Sequence, residues 1–286
     1  MGTGSRPPRL SPSAGPVTVQ DRLEEKRRLL QAYDAGLREQ AEMSSATSYD
    51  RDGPLWRGKF GDRGFVTYRS LEGYTGEALV DSLIARTVRH YAADPSITSA
   101  EWKTRGHDGP SNLAERLQQH GFQPEEEETV MVGEARHLAQ GVSLPEGVRV
   151  RRIDTVPDPY PEMVRAAEAQ ARAFGFAFGV EDFMRRLEKN PGLVEIWVAE
   201  TSEEVVCVGR LEVVPGSDFA GLWGGGTLPE WRGRGIYRAL TAARAQSALS
   251  RGVRYLHSDC TQYSRPILER SGLLPVTTTT PYVWKR

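Results

Sequence analysis

The spacing of apolar residues predicts helices that alternate with strands along most of the chain. Residues 21–42, 77–91 and 236–249 carry apolar residues at helical intervals. Shorter apolar runs predict strands at 65–70, 100–104, 129–133, 148–153, 195–200, 205–214, 219–227, 254–257 and 280–284. Residues 44–59 are predicted to form a loop, because Asp52-Gly53-Pro54 is typical of a turn. The pattern indicates an α/β (α+β) protein with a mixed sheet.

The two halves of the chain share a pattern at a shift of 151 residues, since Gly121 aligns with Gly272. The segment His120-Gly121-Phe122-Gln123-Pro124 then overlies Ser271-Gly272-Leu273-Leu274-Pro275, and Thr129 falls on Thr280. Similarity at a fixed shift predicts two copies of one supersecondary unit. The alternative is that any two strand–helix–glycine–strand segments can be aligned in this way without being copies of one unit.

Composition suggests where these units begin and end. Residues 1–20 are rich in Pro, Gly and Ser and are predicted to form a disordered tail. The first unit is predicted at 21–134, with an N-terminal helix, and the second at 148–286. Between them, Gly141, Pro145 and Gly147 interrupt any periodic pattern, so 135–147 is predicted to be a linker.

Charge and cysteine content exclude several classes of partner. The net charge is −1 and no basic stripe is evident, so we expect no nucleic-acid partner. No apolar run approaches the roughly 20 residues that span a bilayer, and we expect no membrane partner. The two cysteines make no disulfide framework, and no metal-ligand spacing occurs. We expect a metal-free cytoplasmic protein, either a monomer built as a pseudo-dimer or a homodimer.

The most informative segment runs from Gly224 to Leu240 and reads GGGTLPEWRGRGIYRAL. A strand ends, Pro229 interrupts it, and a helix begins within a glycine turn. The first amides of a helix have no intrahelical partner and carry the positive end of its dipole, so they attract phosphate oxygens. The segment lacks the Gly-Lys-Ser/Thr ending of a nucleotide-hydrolase phosphate loop and the three-glycine spacing of a dinucleotide site.

This segment resembles the pyrophosphate-binding motif of the GNAT acetyltransferase superfamily, which is Arg or Gln, two residues, Gly, one residue, then Gly or Ala. Arg232 and Gly235 match the motif, whereas Tyr237 stands at its last small position. The resemblance extends over about 148–284 and is fainter in the first half. It implies two GNAT-like mixed-sheet domains, the first a degenerate copy. The shift of 151 places the degenerate loop at Asp81-Ser82-Leu83-Ile84, which contains no glycine.

The resemblance implies transfer of an acetyl group from acetyl-CoA, as co-substrate, to a primary amine of a small molecule or peptide. The alternative is an acyl-CoA-binding sensor or scaffold without turnover. A backbone amide near Thr227 or Leu228 is expected to polarise the thioester carbonyl. The expected cofactor-binding residues are Thr227, Leu228, Arg232, Gly233, Arg234, Gly235, Ile236 and Tyr237.

The catalytic acid and base are less evident from the sequence. Many GNAT members place a tyrosine acid four residues before the helix-ending glycine, where this chain has Leu268. The nearest hydroxyls are those of Tyr263 and Ser264, although Ser264 is also suited to cap a helix. Base candidates are Glu212 and Asp218, each of which is alternatively a solvated carboxylate.

Two further features remain open. Cys260 and His257 form either an acyl relay or part of the core. The aromatic residues Phe174, Phe176 and Phe178 either line the acceptor site or pack two helices together.

Overall fold

The computed structural model describes residues 18–74, 76–175 and 179–286. Most of the predicted tail, and Phe176 and Phe178 of the aromatic segment, lie outside these ranges. The helices are α1 Val19–Leu37, α2 Glu77–Ala93, α3 Leu113–Gln119, α4 Ala135–Leu138, α5 Tyr160–Phe174, α6 Val180–Lys189, α7 Ile236–Ser250 and α8 Arg265–Arg270. Single 3-10 turns cover Glu39–Met43 and Pro229–Trp231.

Within the described ranges, twelve strands form one mixed sheet. They are β1 Ser48–Asp52, β2 Leu55–Phe60, β3 Arg63–Thr67, β4 Ser99–Arg105, β5 Gln123–Pro124, β6 Glu128–Glu134, β7 Arg149–Arg152, β8 Val194–Glu200, β9 Val205–Val213, β10 Phe219–Thr227, β11 Tyr255–Cys260 and β12 Leu274–Lys285. Their order is β1-β2-β3-β4-β12-β6-β11-β10-β9-β8-β7, with β5 paired to β12. The predicted α/β class with a mixed sheet is therefore confirmed.

The two halves of the chain exchange their closing strands. β12 of the second half lies between β4 and β6 of the first half, and β6 in turn pairs with β11. Each half also contributes one parallel pair, β3 with β4 and β10 with β11. In the β6–β11 pair Glu134 lies opposite Tyr255, and in the equivalent β12–β4 pair Lys285 lies opposite Ser99. The closing strands are thus related by the predicted shift of 151 residues (285 − 134).

The neighbouring strands are related by a larger shift, which corrects one prediction. Phe219 opposes Tyr255 as Arg63 opposes Ser99, so β10 and β3 differ by 156 residues (219 − 63). The counterpart of the glycine turn is therefore the segment between β3 and α2, which contains Gly73 and Gly76. Asp81–Ile84 lies inside α2 instead. The prediction was wrong because it assumed that both copies have turns of equal length.

A second prediction fails at 44–59. The segment forms the hairpin β1–β2, whose strands pair from Ser48 with Lys59 to Asp52 with Leu55. The Asp52-Gly53-Pro54 turn was recognised correctly, and Gly53 has a positive φ of 60°. β1 consists of polar residues that are mostly exposed, and the two buried residues of β2, Leu55 and Gly58, are three apart, so neither strand shows the apolar alternation that identifies strands from sequence.

Helices cover both faces of the sheet. On one face, α1 packs Leu29, Tyr33 and Leu37 against Phe219 and Tyr255, while α5 and α6 pack over β8 and β9. On the other face, α7 packs against Ala220 and Leu256, which directly follow Phe219 and Tyr255 in their strands. This follows from the alternation of side chains along a strand. Among the described helices, none is long and apolar enough to cross a bilayer.

Candidate functional site

The candidate site lies where β10 and β11 separate. The two strands pair only from Phe219–Gly221 to Tyr255–His257. β10 then continues along β9 as far as Thr227, and β11 along β6 as far as Cys260. Beyond His257 the two strands no longer form a backbone ladder with each other in the described structure, and the Ser258 hydroxyl donates to the Leu222 carbonyl at 2.9 Å where the gap begins. An extended ligand placed in this gap would pair with backbone groups of β10.

Three consecutive glycines form a bulge in β10 beside this gap. The register against β9 shifts between Trp223 and Gly226, so Gly224 and Gly225 face one residue, Gly209. Added Cβ atoms would lie 2.6 Å from the Gln170 amide nitrogen at Gly224, 2.6 Å from the Tyr237 ring at Gly225 and 2.8 Å from the Phe174 ring at Gly226. At each of the three positions a different neighbouring side chain leaves no room for a Cβ, so only glycine fits. Gln170 also donates a hydrogen bond to the Gly224 carbonyl, at 2.7 Å.

The turn before α7 presents unpaired amides. Gly233 and Gly235 have φ angles of 75° and 79°, which glycine adopts without strain. Among the described residues, none accepts a hydrogen bond from the backbone amides of residues 233–238; the first helical bond runs from the Ala239 amide to the Gly235 carbonyl, at 3.0 Å. Together with the helix dipole, these amides form a ready anion site.

The two arginines of the turn have different surroundings. The Arg232 guanidinium donates to the carbonyls of Thr227 at 3.0 Å and Ala173 at 2.9 Å, and so ties the turn to β10 and α5. Arg234 is exposed, with its Cζ 4.8 Å from the centroid of the Trp231 ring. Two of the five N–H donors of Arg232 therefore bond to the protein itself. The exposed Arg234 guanidinium is accessible to a ligand.

These features match a known family. Residues 162–272 match the model of the acetyltransferase (GNAT) family. This segment is a GNAT domain. It includes the bulge, the glycine turn and α7, and it lies in the half of the chain where the motif predicted it.

Solved structures extend the fold to both halves of the chain. A GCN5-related N-acetyltransferase from Kribbella flavida is 18% identical, with a TM-score of 0.63 over 90% of this chain and 94% of that one. A tandem GNAT protein from the clavulanic acid biosynthesis pathway is 15% identical, with a TM-score of 0.60 over 93% and 96%. A GCN5-related N-acetyltransferase from Sphaerobacter thermophilus is 20% identical, with a TM-score of 0.59 over 81% and 76%. A search of curated protein sequences gives no match.

The remaining residues predicted to bind the cofactor lie in or beside the turn of the GNAT domain. Ile236 is buried under the turn, and the Tyr237 ring extends beneath Gly225. Thr227 donates its hydroxyl to the Cys207 sulfur at 3.1 Å. The Leu228 amide donates to the Val206 carbonyl at 2.9 Å, so it is not free to polarise a thioester, contrary to expectation.

The acid candidates lie at the start of α8. Tyr263 is 80% exposed, whereas Leu268 is buried in the core beneath α7. Ser264 occupies the cap position of α8, but its side chain makes no capping hydrogen bond. The Ser264 hydroxyl is therefore not committed to the helix, and it remains the better placed of the two predicted acids.

The other chemical candidates are separated by the sheet. The His257 ring lies edge-to-face with the Trp223 ring on the α1 face, with centroids 5.2 Å apart, while Cys260 belongs to the core beneath α7. Residues three apart on a strand face opposite sides, so a direct Cys260–His257 relay is excluded. Asp218 precedes β10, at the end opposite the glycine turn, and lines a separate groove of about 1020 Å³.

Glu212 lines a cavity of about 360 Å³ between α1 and α6, on the sheet face that carries His257 and Trp223. The Arg210 guanidinium donates to Glu212, and the Arg186 Nη1 lies 3.7 Å from the same carboxylate. Glu212 is thus an ion-paired residue of the cavity wall rather than a solvated carboxylate. A volume of this size is typical of small-ligand sites.

The cavity also contains charged residues that sequence reasoning missed. Lys103 on β4 reaches Asp259 on β11, with Nζ 2.8 Å from Oδ2, and also faces Glu42. Burial raises the pKa of Asp259, but the Lys103 charge outweighs it and keeps that pKa below its usual value. Burial lowers the pKa of His257 to about 4, so the imidazole is neutral near pH 7. No local motif marks Lys103, because its partner lies 156 residues away.

Proposed function

We propose that this protein transfers an acetyl group from acetyl-CoA to a primary amine of a small molecule or peptide. The row of unpaired amides at residues 233–238, next to the bulged edge of β10, carries the proposal. The amides fit a pyrophosphate, and the open edge of β10 fits the amide-bearing arm that connects the pyrophosphate to the thioester.

The acceptor is proposed to enter from the opposite face of the sheet, through the cavity between α1 and α6. This cavity adjoins the point at which β10 leaves β11, since Trp223 and His257 line it. Its wall carries the carboxylates of Glu42, Glu212 and Asp259. Each carboxylate is paired with a basic side chain, Glu42 with Arg105, Glu212 with Arg210 and Asp259 with Lys103, so the wall offers an amine oriented hydrogen-bonding oxygens.

Glu212 is proposed as the base because it lies in this wall near the bulge. Its ion pairs with Arg210 and Arg186 stabilise the carboxylate, so proton removal through an intervening water fits the site better than strong direct basicity. Because the Leu228 amide bonds to Val206 on β9, the amide of its neighbour Thr227 points away from β9, and it is proposed to polarise the thioester carbonyl.

Substitution at the turn tests the proposal. Gly235→Asp adds a carboxylate and a strained φ in the middle of the amide row. We expect acetyl-CoA binding, measured by isothermal titration calorimetry, to weaken at least about tenfold, because one lost charge-assisted contact costs about 1.5–3 kcal/mol. The matched control is Gly216→Asp, at a distant turn with a φ of 71° and open surroundings. Unchanged binding by Gly235→Asp would contradict the proposal.

A second function, a non-catalytic acyl-CoA sensor, is favoured by one observation. Leu268 fills the position at which many GNAT proteins carry their tyrosine acid, and it is buried. Release of free CoA in the presence of a panel of primary amines distinguishes the two functions. Turnover with any amine supports the enzyme, whereas tight acetyl-CoA binding without turnover supports the sensor.

A further inference from the structure

A fully buried arginine lies beneath the bulge. Arg244 on α7 has no exposed surface, and no Asp or Glu among the described residues lies within salt-bridge distance of it. Its guanidinium donates to the Arg210 carbonyl at 3.1 Å and the Thr241 hydroxyl at 3.1 Å. A buried charge without a counter-charge lowers the stability of the fold, so the presence of Arg244 suggests that an anion binds beside it during the reaction.

The position of Arg244 coincides with the bulge. A Cβ on Gly209 would lie 2.8 Å from its Nη1 nitrogen, so the guanidinium rests directly on β9 at that residue. Gly209 is the residue that faces Gly224 and Gly225 across the ladder. Two facing glycine positions therefore let α7 side chains approach the strands closely at one point.

Tyr237 lies beside this cation. Its ring centroid is 5.9 Å from the Arg244 Cζ, and a Cβ on Gly225 would lie 2.7 Å from its hydroxyl oxygen. The ring also packs against the core cluster that contains Leu268 and Cys260. The phenol thus lies on the sheet face from which α8 side chains approach the gap, the face that includes the position of the absent tyrosine.

We propose that Tyr237 and Arg244 form the site for the sulfur of CoA and hold it as the leaving thiolate, Arg244 by its charge and Tyr237 by a hydrogen bond from its hydroxyl. This inference rests on the proposed function. The neutral amine nitrogen forms a bond to the acyl carbon and loses one proton to water. When the carbon–sulfur bond breaks, its electron pair stays on sulfur, and the thiolate takes a proton from water after CoA leaves the site, so the overall reaction is balanced.

The other titratable groups near the pair leave this role to Tyr237. Burial raises the pKa values of Cys207 on β9 and Cys260 on β11 to about 11, so both thiols are neutral at pH 7–9. Burial lowers the pKa of Arg210, the remaining charged neighbour, whose guanidinium pairs with Glu212. Burial also raises the pKa of Tyr237 while Arg244 opposes that rise, so the phenol is protonated and ready to donate.

Comparison of CoA with desulfo-CoA, which lacks the thiol, tests this inference without an identified amine. Binding is measured by calorimetry from pH 6.5 to 9, in buffers of different ionisation enthalpy. A cationic sulfur site favours the thiolate, so CoA is expected to bind about threefold more tightly than desulfo-CoA at pH 8, about eightfold more tightly at pH 9, and to release a proton. These factors correspond to lowering the thiol pKa by one unit from about 8.5.

Variants separate the two residues. Arg244→Met is expected to abolish the preference for CoA and the proton release while leaving desulfo-CoA binding unchanged, and Arg244→Lys to restore part of the preference. Tyr237→Phe serves if Arg244→Met does not fold, and it is expected to reduce the proton release. Equal binding of both ligands across the pH range, or a preference that survives Arg244→Met, would overturn the inference. If neither ligand binds the native protein, the proposed function itself fails.

Discussion

The charges of the cavity residues are set by neighbours from both halves of the chain. Asp259 is paired with Lys103, and Glu212 with Arg210 and Arg186. The Nδ1 of His257 and the Oδ1 of Asp259 have no hydrogen-bond partner among the described residues. Buried polar atoms without partners cost about 1–3 kcal/mol each. The unpaired polar atoms of the cavity wall therefore lower the stability of the folded protein, as is common at functional sites.

The buried imidazole of His257 predicts an acid-sensitive fold. Its folded pKa of about 4 lies below the model value of 6.5, so the unfolded chain binds more protons between these values and stability falls as pH decreases. The full difference is roughly 3 kcal/mol. In urea unfolding at pH 7 and pH 4.5, His257→Gln should lose less free energy of unfolding than the native protein. The control is His137→Gln at an exposed site; an identical loss in all three proteins would refute this explanation.

At the scale of elements, α1 connects the two halves and forms one wall of the cavity. A capping box at Thr18 and Asp21 begins the helix. Its buried face lies over β6, β11 and β12, so it covers strands from both halves. The cavity lies between α1 and α6 on one face of the sheet, and Tyr33 of α1 and Arg186 of α6 both line it.

Truncation at the buried face of α1 should destabilise the protein strongly. Leu29 is 1% exposed and packs in the core cluster beneath the helix. Leu29→Ala is expected to cost about 2–5 kcal/mol of unfolding free energy. Leu23→Ala, on the same helix at 49% exposure, is expected to cost under about 0.5 kcal/mol. Chemical denaturation measures both values, and comparable losses would show that α1 does not contribute to the core.

At the scale of the whole molecule, the exchanged strands make the halves interdependent. β11 relies on β6 of the first half, and β12 is bound on both sides by β4 and β6. The second half alone would expose both of these strands as unpaired edges. Unpaired edges template aggregation.

A fragment of residues 148–286 is therefore expected to be insoluble or to associate. Size-exclusion chromatography and circular dichroism check this, and co-expression with residues 18–147 should restore a soluble heterodimer. A monomeric, cooperatively folding 148–286 fragment would contradict the strand exchange. The predicted domain boundaries can be tested in the same experiment.

Elements with local signals were predictable from the sequence. The periodicity of α2 and α7 and the Arg232–Gly235 turn depend on residues close together in the chain, and each was recognisable there. Turn and helix-start chemistry act over a few residues, so their physical cause is contained in the segment itself.

Only the tertiary structure decided the exchange of β6 and β12, the Lys103–Asp259 pair and the burial of Arg244 beside Tyr237. The first two features join residues far apart in the chain. The sequence around Arg244 does not distinguish a buried arginine from an exposed one. Local patterns carry no information about which strand edge a segment will pair with. Pairing depends on the register and twist of the whole sheet, and burial on everything packed against it.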